Sequence, residues 1–236
     1  KFERECLLVL KKFADESYIR IPKPLNLISY KNISILILEW IDLIPTQQNL
    51  LGKGLALLHK SSTEEKNKNF GWDKEGFIGS NSQIKGWDSN WGKFFVNYRL
   101  RPQIRKAGIW GVRIEDYEDI LIYLSSYLNN HNPKVSLVHG DLWSGNCGST
   151  RSGIGCLYDP ASYWGDREVD ISMTKLFGSF NMEFYKGYEE IWPLSKTAKD
   201  RIDIYNLYHL LNHANIFGGS YKDRSVKILK DLRSRY

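Results

Sequence analysis

Residues 138–146 read Val-His-Gly-Asp-Leu-Trp-Ser-Gly-Asn, and the rest of the chain is best understood outward from this stretch. It places an acidic side chain, Asp141, and an amide side chain, Asn146, around a flexible Ser-Gly turn. A second carboxylate, Asp159, follows in Leu-Tyr-Asp-Pro-Ala at residues 157–161. Phosphoryl transfer requires such groups. One carboxylate orients the reacting hydroxyl, and a second carboxylate together with an amide oxygen can hold a cation.

The composition is that of a globular protein, and it excludes several classes. The 236 residues, 42% of them hydrophobic, suffice for a substantial core in one large domain or two unequal lobes. The net charge of +6 comes without a dense basic run, so no nucleic-acid partner is expected. No apolar run reaches the length of a membrane span and no signal peptide is recognised, so no membrane association is expected. Three cysteines without a CxxC pair favour a reducing, cytoplasmic location.

Hydrophobic periodicity predicts an α+β chain in which a small sheet portion precedes a larger helical portion. Helices are predicted for residues 2–13, 47–60, 93–104 and 113–128 and for most of 169–235, and strands for 25–30, 34–40, 136–138 and 154–158. The strand 34–40 is apolar on both faces, which favours a central position in a sheet. Residues 61–69 are predicted to form a polar surface loop, and residues 70–92 a loop rich in Gly and Trp.

The spacing His139-x-Asp141-x4-Asn146 is the outline of the protein-kinase catalytic loop. We therefore expect Asp141 to act on the incoming hydroxyl, and Asn146 and Asp159 to bind Mg²⁺, which takes few protein oxygens beside phosphate oxygens. His139 is expected to hold the loop by hydrogen bonds and not to be the base. Asp and Asn also cap turns, but the strand that leads into Asp159-Pro160 favours the kinase interpretation.

The segments 139–146 (His-Gly-Asp-Leu-Trp-Ser-Gly-Asn) and 158–163 (Tyr-Asp-Pro-Ala-Ser-Tyr) closely resemble the fructosamine kinase family, the ketosamine 3-kinases. The resemblance implies the two-lobed, protein-kinase-like fold that this family shares with aminoglycoside and choline kinases. It covers most of the chain, and the Trp within the catalytic loop is specific to this family among related kinases. Further matching segments are Phe2-Glu3-Arg4-Glu5, Phe77-Ile78-Gly79, Trp87, Trp91, Phe94-Phe95, Arg99-Leu100, Leu176-Phe177-Gly178 and Leu211-Asn212-His213-x-Asn215-x-Phe217-Gly218.

The resemblance also implies an activity and its substrate. Family members use ATP to phosphorylate fructosamines or ribulosamines, on small amines or on proteins, and the unstable 3-phosphate then releases the amine and repairs glycation. Asp141 would be the base for the sugar C3 hydroxyl, and Trp143 would stack on the ketosamine ring. Other candidate pocket-wall residues, for which core packing is the alternative, are Trp72, Trp87, Trp91, Arg99, Asn212 and His213.

The nucleotide site implied by the resemblance lies towards the start of the chain. The backbone carbonyl of Glu39 and the backbone amide of Ile41, on either side of Trp40, would contact adenine at the hinge. Glu5 would pair with the phosphate-binding lysine, but the family's glycine-rich loop and that lysine lie upstream of the segment matching residues 2–5. We therefore expect residues 1–42 to be a truncated N-lobe, residues 43–236 to be the C-lobe, and this 236-residue form to have little kinase activity.

Three alternatives stay open at the level of the sequence. The first is a kinase of another small polyol or amino sugar, which the same fold permits. The second is a non-catalytic binding protein, since the phosphate-gripping strands are not in the sequence. The third is a metal-dependent hydrolase that uses His139, Asp141 and Asp159, but the five histidines show no convincing metal spacing. The preferred ketosamine and the oligomeric state are not specified by the residues.

Overall fold

The structure is a computed structural model that describes residues 1–31, 33–44, 48–66, 69–178 and 180–235. The described residues form an α+β protein with small sheets and a mainly helical second part. The helices are α1 (Phe2–Phe13), α2 (Asn49–Ser62), α3 (Trp91–Phe94), α4 (Arg101–Ala107), α5 (Glu118–His131), α6 (Glu168–Leu176), α7 (Met182–Ile191), α8 (Ala198–Phe217) and α9 (Ser220–Arg235). The strands are β1 (Ile19–Arg20), β2 (Pro24–Tyr30), β3 (Ile33–Leu38), β4 (Phe70–Trp72), β5 (Gly76–Ile78), β6 (Asn81–Gln83), β7 (Gly86–Asp88), β8 (Ser136–Val138), β9 (Cys147–Ser149), β10 (Gly155–Leu157) and β11 (Tyr163–Gly165).

Helix α1 forms where the sequence predicts it, and its amphipathic pattern explains how it packs. Cys6, Leu7 and Leu10 are fully buried on one face, as expected for apolar residues that recur every three or four positions. Glu3 and Glu5 lie in the first turn, where the helix dipole favours negative charge. The helix therefore docks on the main body and carries two carboxylates at its N-terminal end.

The predicted central position of the strand at 34–40 is wrong. Within the described residues, β3 pairs only with β2 in a two-stranded antiparallel hairpin. The side chains of Ile33, Ile35 and Ile37 are 63%, 53% and 40% exposed. Apolar side chains on both faces of a strand favour a position between other strands or layers. Here the described residues around the β2–β3 hairpin leave these side chains open to solvent.

The region 70–92, predicted to be a loop, contains β4, β5, β6 and β7. Strand β4 pairs with β7 in a four-stranded sheet of order β7-β4-β11-β8, and β5 pairs with β6 as a separate hairpin. Gly71 lies at φ +143°, and a Cβ atom there would come within 1.9 Å of the carbonyl oxygen of Gly86. The glycines therefore permit the close backbone approach expected of them, but between paired strands and not within a loop.

The remaining elements agree with the prediction apart from their ends. Residues 91–107 are continuously helical, with a π-helical stretch at Phe95–Leu100 between α3 and α4. Strand β8 has the predicted bounds, β10 is one residue shorter at each end, and α2 extends through Ser62 into the predicted loop. The predicted start of α2 at Gln47 lies outside the described residues.

Two short strands place the candidate site. Strand β8 runs directly into the loop that begins at His139, and β10 runs towards Asp159. Strand β11 pairs antiparallel with β8, with Tyr163 opposite Val138, so the two motif segments are held side by side. No helix in the described part of the chain combines the length and apolar character needed to cross a lipid bilayer. The proposed lobe boundary after residue 42 stays a prediction.

Candidate active site

The loop after β8 has a conformation that its glycine makes possible. Gly140 lies at φ +82°, in the left-handed region, and a Cβ atom at this position would come within 2.2 Å of the carbonyl oxygen of Ala161. The two motif segments are also joined by a backbone hydrogen bond, which Ala161 N donates to His139 O over 3.0 Å. A glycine is therefore required where the catalytic loop and the Asp159 loop touch.

The buried carboxylate of Asp170, which the sequence analysis did not identify, holds this loop. The Oδ2 atom of Asp170, in α6, accepts the backbone N–H of His139 over 2.7 Å, and its Oδ1 atom accepts that of Gly140 over 2.8 Å. The Nε2 atom of His59 lies 3.0 Å from Oδ2. Burial alone would raise the pKa of Asp170, but hydrogen bonding to His59 and the His59 charge bring it below its ordinary value. Asp170 thus remains a carboxylate that anchors two donors of the loop.

His139 has the structural role that was predicted for it. Its side chain is fully buried, and its Nε2 atom donates to the carbonyl oxygen of Tyr158 over 3.0 Å. Its Nδ1 atom accepts the backbone N–H of Asp141 over 3.3 Å. Burial lowers the pKa of His139, so the ring is neutral at pH 7. The ring therefore ties the catalytic loop to the strand end that precedes Asp159.

The structure brings Asp141, Asn146 and Asp159 together in one cleft. The Nδ2 atom of Asn146 donates to Asp141 Oδ2 over 3.1 Å, to the Asp141 backbone carbonyl over 2.9 Å and to the Asp159 backbone carbonyl over 3.4 Å. Asp159 lies at φ +54°, an uncommon conformation for a residue other than glycine. Strain of this kind is concentrated at functional sites, where surrounding contacts maintain it.

The Asp141 carboxyl has the acidity of a group that can exchange protons near neutral pH. Burial and the neighbouring Asp159 charge raise its pKa to about 7, against the lowering effect of the Asn146 hydrogen bond. A general base works best when its pKa lies near the working pH. The position and the acidity of Asp141 both suit a residue that accepts a proton from a hydroxyl group.

The donor set around Asp159 fits a hard divalent cation. The Asn146 side chain uses its N–H group towards Asp141 and Asp159, which leaves its amide oxygen as the atom that could bind a cation. One carboxylate and one amide oxygen are the kind of protein ligands that Mg²⁺ accepts when phosphate oxygens and water complete its shell. Among the described residues, one cluster of three possible metal-ligand side chains was found, and it lies outside the cleft. It consists of His131, Asp166 and Glu168. In that group Arg201 already forms hydrogen bonds with both carboxylate oxygens of Glu168.

The cleft has a volume of about 810 Å³, and aromatic side chains are among the residues that line it. Trp143 is 40% exposed, lines the cleft and contacts the ring of Phe177 edge-on at 6.3 Å. His213 also lines the cleft, and its ring centroid lies 4.8 Å from that of Phe177. Trp143 and His213 are therefore placed where the sequence predicted substrate-binding residues.

Two predicted substrate residues lie in the core and not in the cleft, so these assignments are wrong. Trp91 is 1% exposed, and its indole N–H donates to the Tyr205 hydroxyl over 3.0 Å. Arg99 is 1% exposed, and its guanidinium lies 4.8 Å from the ring centroid of Phe94 and 4.1 Å from that of Tyr163. Both side chains lie on the helical stretch 91–107, which turns its aromatic-rich face inwards. The resemblance to the family suggested them as pocket-wall residues, with core packing as the alternative, and the structure shows core packing.

The predicted nucleotide residues lie apart from the cleft. The Glu39 carboxylate pairs with Arg20 and accepts the backbone N–H of Lys23 over 3.2 Å, Trp40 is 87% exposed, and Ile41 is partly buried. Glu5 forms an ion pair with Lys74 over 2.7 Å and does not line the cleft, whereas Glu3 does. The adenine contacts and the lysine partner of Glu5 therefore stay predictions.

Comparison with known proteins identifies what the chain is similar to. Residues 1–235 match the family model described as fructosamine kinase. A protein named probable ketoamine kinase from Vibrio parahaemolyticus is 40% identical over 236 residues, covering 98% of this chain and 80% of that protein. A protein of the same name from Synechocystis is 37% identical over 232 residues, covering 97% of this chain and 77% of that protein.

Solved structures agree on the fold. A Haemophilus somnus protein named as a candidate fructosamine-3-kinase superposes with a TM-score of 0.85 at 29% identity, covering 98% of this chain and 78% of that one. A choline kinase from Streptococcus pneumoniae superposes with a TM-score of 0.61 at 16% identity, covering 99% of this chain and 80% of that one. At that identity the second likeness concerns the fold alone, which is the protein-kinase-like fold.

Proposed function

Because the chain belongs to the fructosamine kinase family, whose members are phosphotransferases with an alcohol acceptor, we propose that it is an ATP-dependent kinase of the C3 hydroxyl of ketosamines. The substrates would be fructosamines or ribulosamines, on small amines or on glycated proteins. Loss of the unstable 3-phosphate would release the amine and repair glycation. The convergence of Asp141, Asn146 and Asp159 in one cleft is the observation that carries this proposal.

Asp141 is the proposed base. As the C3 oxygen attacks the γ-phosphorus of ATP, its proton passes to the Asp141 carboxylate, and ADP leaves from the opposite side of the phosphorus. The hydrogen bond from Asn146 Nδ2 orients Asp141, and the loop is in turn held by Asp170. A rigid base is important because most of the catalysis in phosphoryl transfer comes from positioning and electrostatics.

Asn146 and Asp159 are the proposed magnesium ligands. A bound Mg²⁺ would neutralise charge on the phosphate oxygens. The Asn146 amide oxygen and the Asp159 carboxylate would hold it in the cleft. The positive φ of Asp159 and the hydrogen bond from Asn146 to its backbone carbonyl support a defined backbone conformation at this residue.

The acceptor end suits a sugar that carries an amine. The exposed face of Trp143 offers an apolar surface to the C–H groups of a sugar ring, and Glu75, which lines the same cleft, carries a negative charge that suits a cationic amine. Adenine would contact the backbone of Glu39 and Ile41 at the hinge. A cytoplasmic location is part of the proposal and is supported by the free thiols of all three cysteines.

A coupled assay of ADP release tests the function. It uses the product of the complete reading frame, so that any residues encoded before Lys1 are included. Fructosyl- and ribulosyl-amines are the substrates, with an aminoglycoside and choline as controls. We expect turnover of the ketosamines, a 3-phosphate product, and a loss of turnover of about 10³-fold or more in Asp141→Asn with nucleotide binding retained. Equal or faster turnover of the aminoglycoside or choline would contradict the ketosamine assignment.

A further inference from the structure

The β5–β6 hairpin contributes Phe77, Ile78 and Gly79 to the cleft, and the residues of β5 alternate between burial and exposure. A Cβ atom at Gly76 would meet the ring of Phe2 in α1, and the Ile78 side chain is 2% exposed in the core. Phe77, between them, points to the other face, is 57% exposed, and lines the same cleft as Asp141 and Trp143. The hairpin therefore presents an open aromatic ring to the cleft, although its two neighbouring residues in β5 are buried.

A buried amide network fixes this hairpin to the helical body. Asn212, in α8, is 2% exposed, and its Nδ2 atom donates to the backbone carbonyl of Ile78 over 3.3 Å. Its Oδ1 atom accepts from Asn81 Nδ2 over 2.8 Å and from Gln103 Nε2 over 3.2 Å. One side chain thus holds both strands of the hairpin, Ile78 in β5 and Asn81 in β6, and links them to α4 through Gln103.

The hairpin needs such support because its own pairing is short. Strands β5 and β6 have three residues each and form a sheet of their own. A two-stranded hairpin is marginally stable by itself in water. A buried amide that lost its partners would leave unsatisfied polar groups, so the network strongly favours one position of the hairpin. The orientation of Phe77 therefore depends on Asn212.

We propose that Phe77 is an acceptor-binding residue and that Asn212 is the positioning residue that aims it into the cleft. This inference rests on the proposed function, since the acceptor is taken to be a ketosamine. Phe77 supplies a second apolar ring, in addition to Trp143, for the C–H groups of the sugar. Asn212 itself lines the cleft, as predicted for a wall residue, and its effect on the acceptor comes through the hairpin that it holds.

Steady-state kinetics of Phe77→Leu test the first part. We expect the KM for the ketosamine to rise about five- to tenfold, with kcat and the KM for ATP changed by less than about twofold. The matched control is Tyr123→Leu, a partly exposed aromatic in α5 that does not line the cleft. An unchanged acceptor KM in Phe77→Leu overturns the binding role of Phe77.

Asn212→Asp tests the second part, because it removes the donor to Ile78 and keeps an oxygen acceptor for Asn81. We expect faster amide hydrogen exchange at residues 76–83 and an acceptor KM raised by a factor similar to that in Phe77→Leu. In the variant that carries both Phe77→Leu and Asn212→Asp, the two increases in acceptor KM should not multiply, because both act through the ring of Phe77. Effects that multiply would mean that Asn212 contacts the acceptor directly, which overturns its positioning role.

Asn215→Asp is the control for a general loss of buried hydrogen bonds. Asn215 lies one helical turn further along α8 and donates to Gln103, without a bond to the hairpin. Its variant should not accelerate exchange at residues 76–83, and equal acceleration in both variants overturns the positioning role. A wild-type protein that phosphorylates no ketosamine overturns the proposed function and the role of Phe77, whereas the exchange data still decide the role of Asn212.

Discussion

The carboxylate of Asp170 accepts the backbone N–H of Gly140 over 2.8 Å, so the catalytic loop is anchored by a side chain some thirty residues further along the chain. The same carboxylate accepts the N–H of His139 and is bound by His59. Asp170, His59, His139 and Gly140 are all buried, and a buried backbone N–H is costly to leave without a hydrogen-bond partner. The position of Asp141 in the cleft thus depends on a carboxylate outside it.

Replacing Asp170 with Asn should destabilise the protein. The Asn side chain presents an N–H group to at least one of the two backbone donors, so we expect a loss of about 2 to 4 kcal/mol in the free energy of unfolding. Denaturant unfolding measures this loss. The matched control is Asp203→Asn, whose carboxylate forms a half-exposed ion pair with Arg235 and should cost less than about 1 kcal/mol. Equal losses in the two variants would contradict the anchoring role.

Asp141→Asn should stabilise the folded protein at alkaline pH although it abolishes turnover. Burial and Asp159 raise the pKa of Asp141 to about 7, so the folded state binds the proton more tightly than the unfolded state does. The contribution of Asp141 to wild-type stability therefore falls as the pH rises from about 4 to about 7, and we expect a penalty of about 1 to 3 kcal/mol at pH 8 that the amide lacks. Thermal unfolding at pH 5 and pH 8 checks this, and a difference between variant and wild type that is independent of pH would contradict it.

Gly140→Ala should be among the most destabilising of the glycine substitutions. The positive φ disfavours any other residue, and the new Cβ would lie 2.2 Å from the carbonyl oxygen of Ala161. We expect a loss of about 3 kcal/mol or more, together with lost activity. Gly108→Ala is the matched control, because Gly108 has φ −54° and open space around it, so a change within about 1 kcal/mol is expected. Both are measured by denaturant unfolding.

Trp91 and Trp143 should respond to substitution in opposite ways. Trp91→Leu removes a fully buried ring and its bond to Tyr205, so we expect a loss of about 3 kcal/mol in unfolding free energy without a selective change in acceptor KM. Trp143→Leu should leave stability within about 1 kcal/mol and raise the acceptor KM about tenfold. Unfolding curves and kinetics measured on both variants decide whether the two rings have these separate roles.

Local motifs allowed much of the site to be predicted. The spacing of Asp141 and Asn146, and the strand that leads into Asp159, depend on neighbours within a few residues, and these three residues line one cleft in the structure. The glycine-rich region 70–92 was misinterpreted because glycines that permit strands to touch look the same in a sequence as glycines that form turns. The strand at 34–40 was misplaced because an apolar run does not reveal which elements surround it.

The sequence by itself determined the family, the helical pattern and the catalytic loop, because each is specified by residue types at short, fixed spacings. Tertiary structure alone decided which distant side chains reach the cleft. It buried Trp91 and Arg99, brought Phe77 and His213 into the same cleft as Trp143, and placed the Asp170 carboxylate against the backbone of the loop. The physical reason is that helical and strand periodicity assigns a side chain to the inner or outer face of its own element, while the packing of whole elements decides what that face meets.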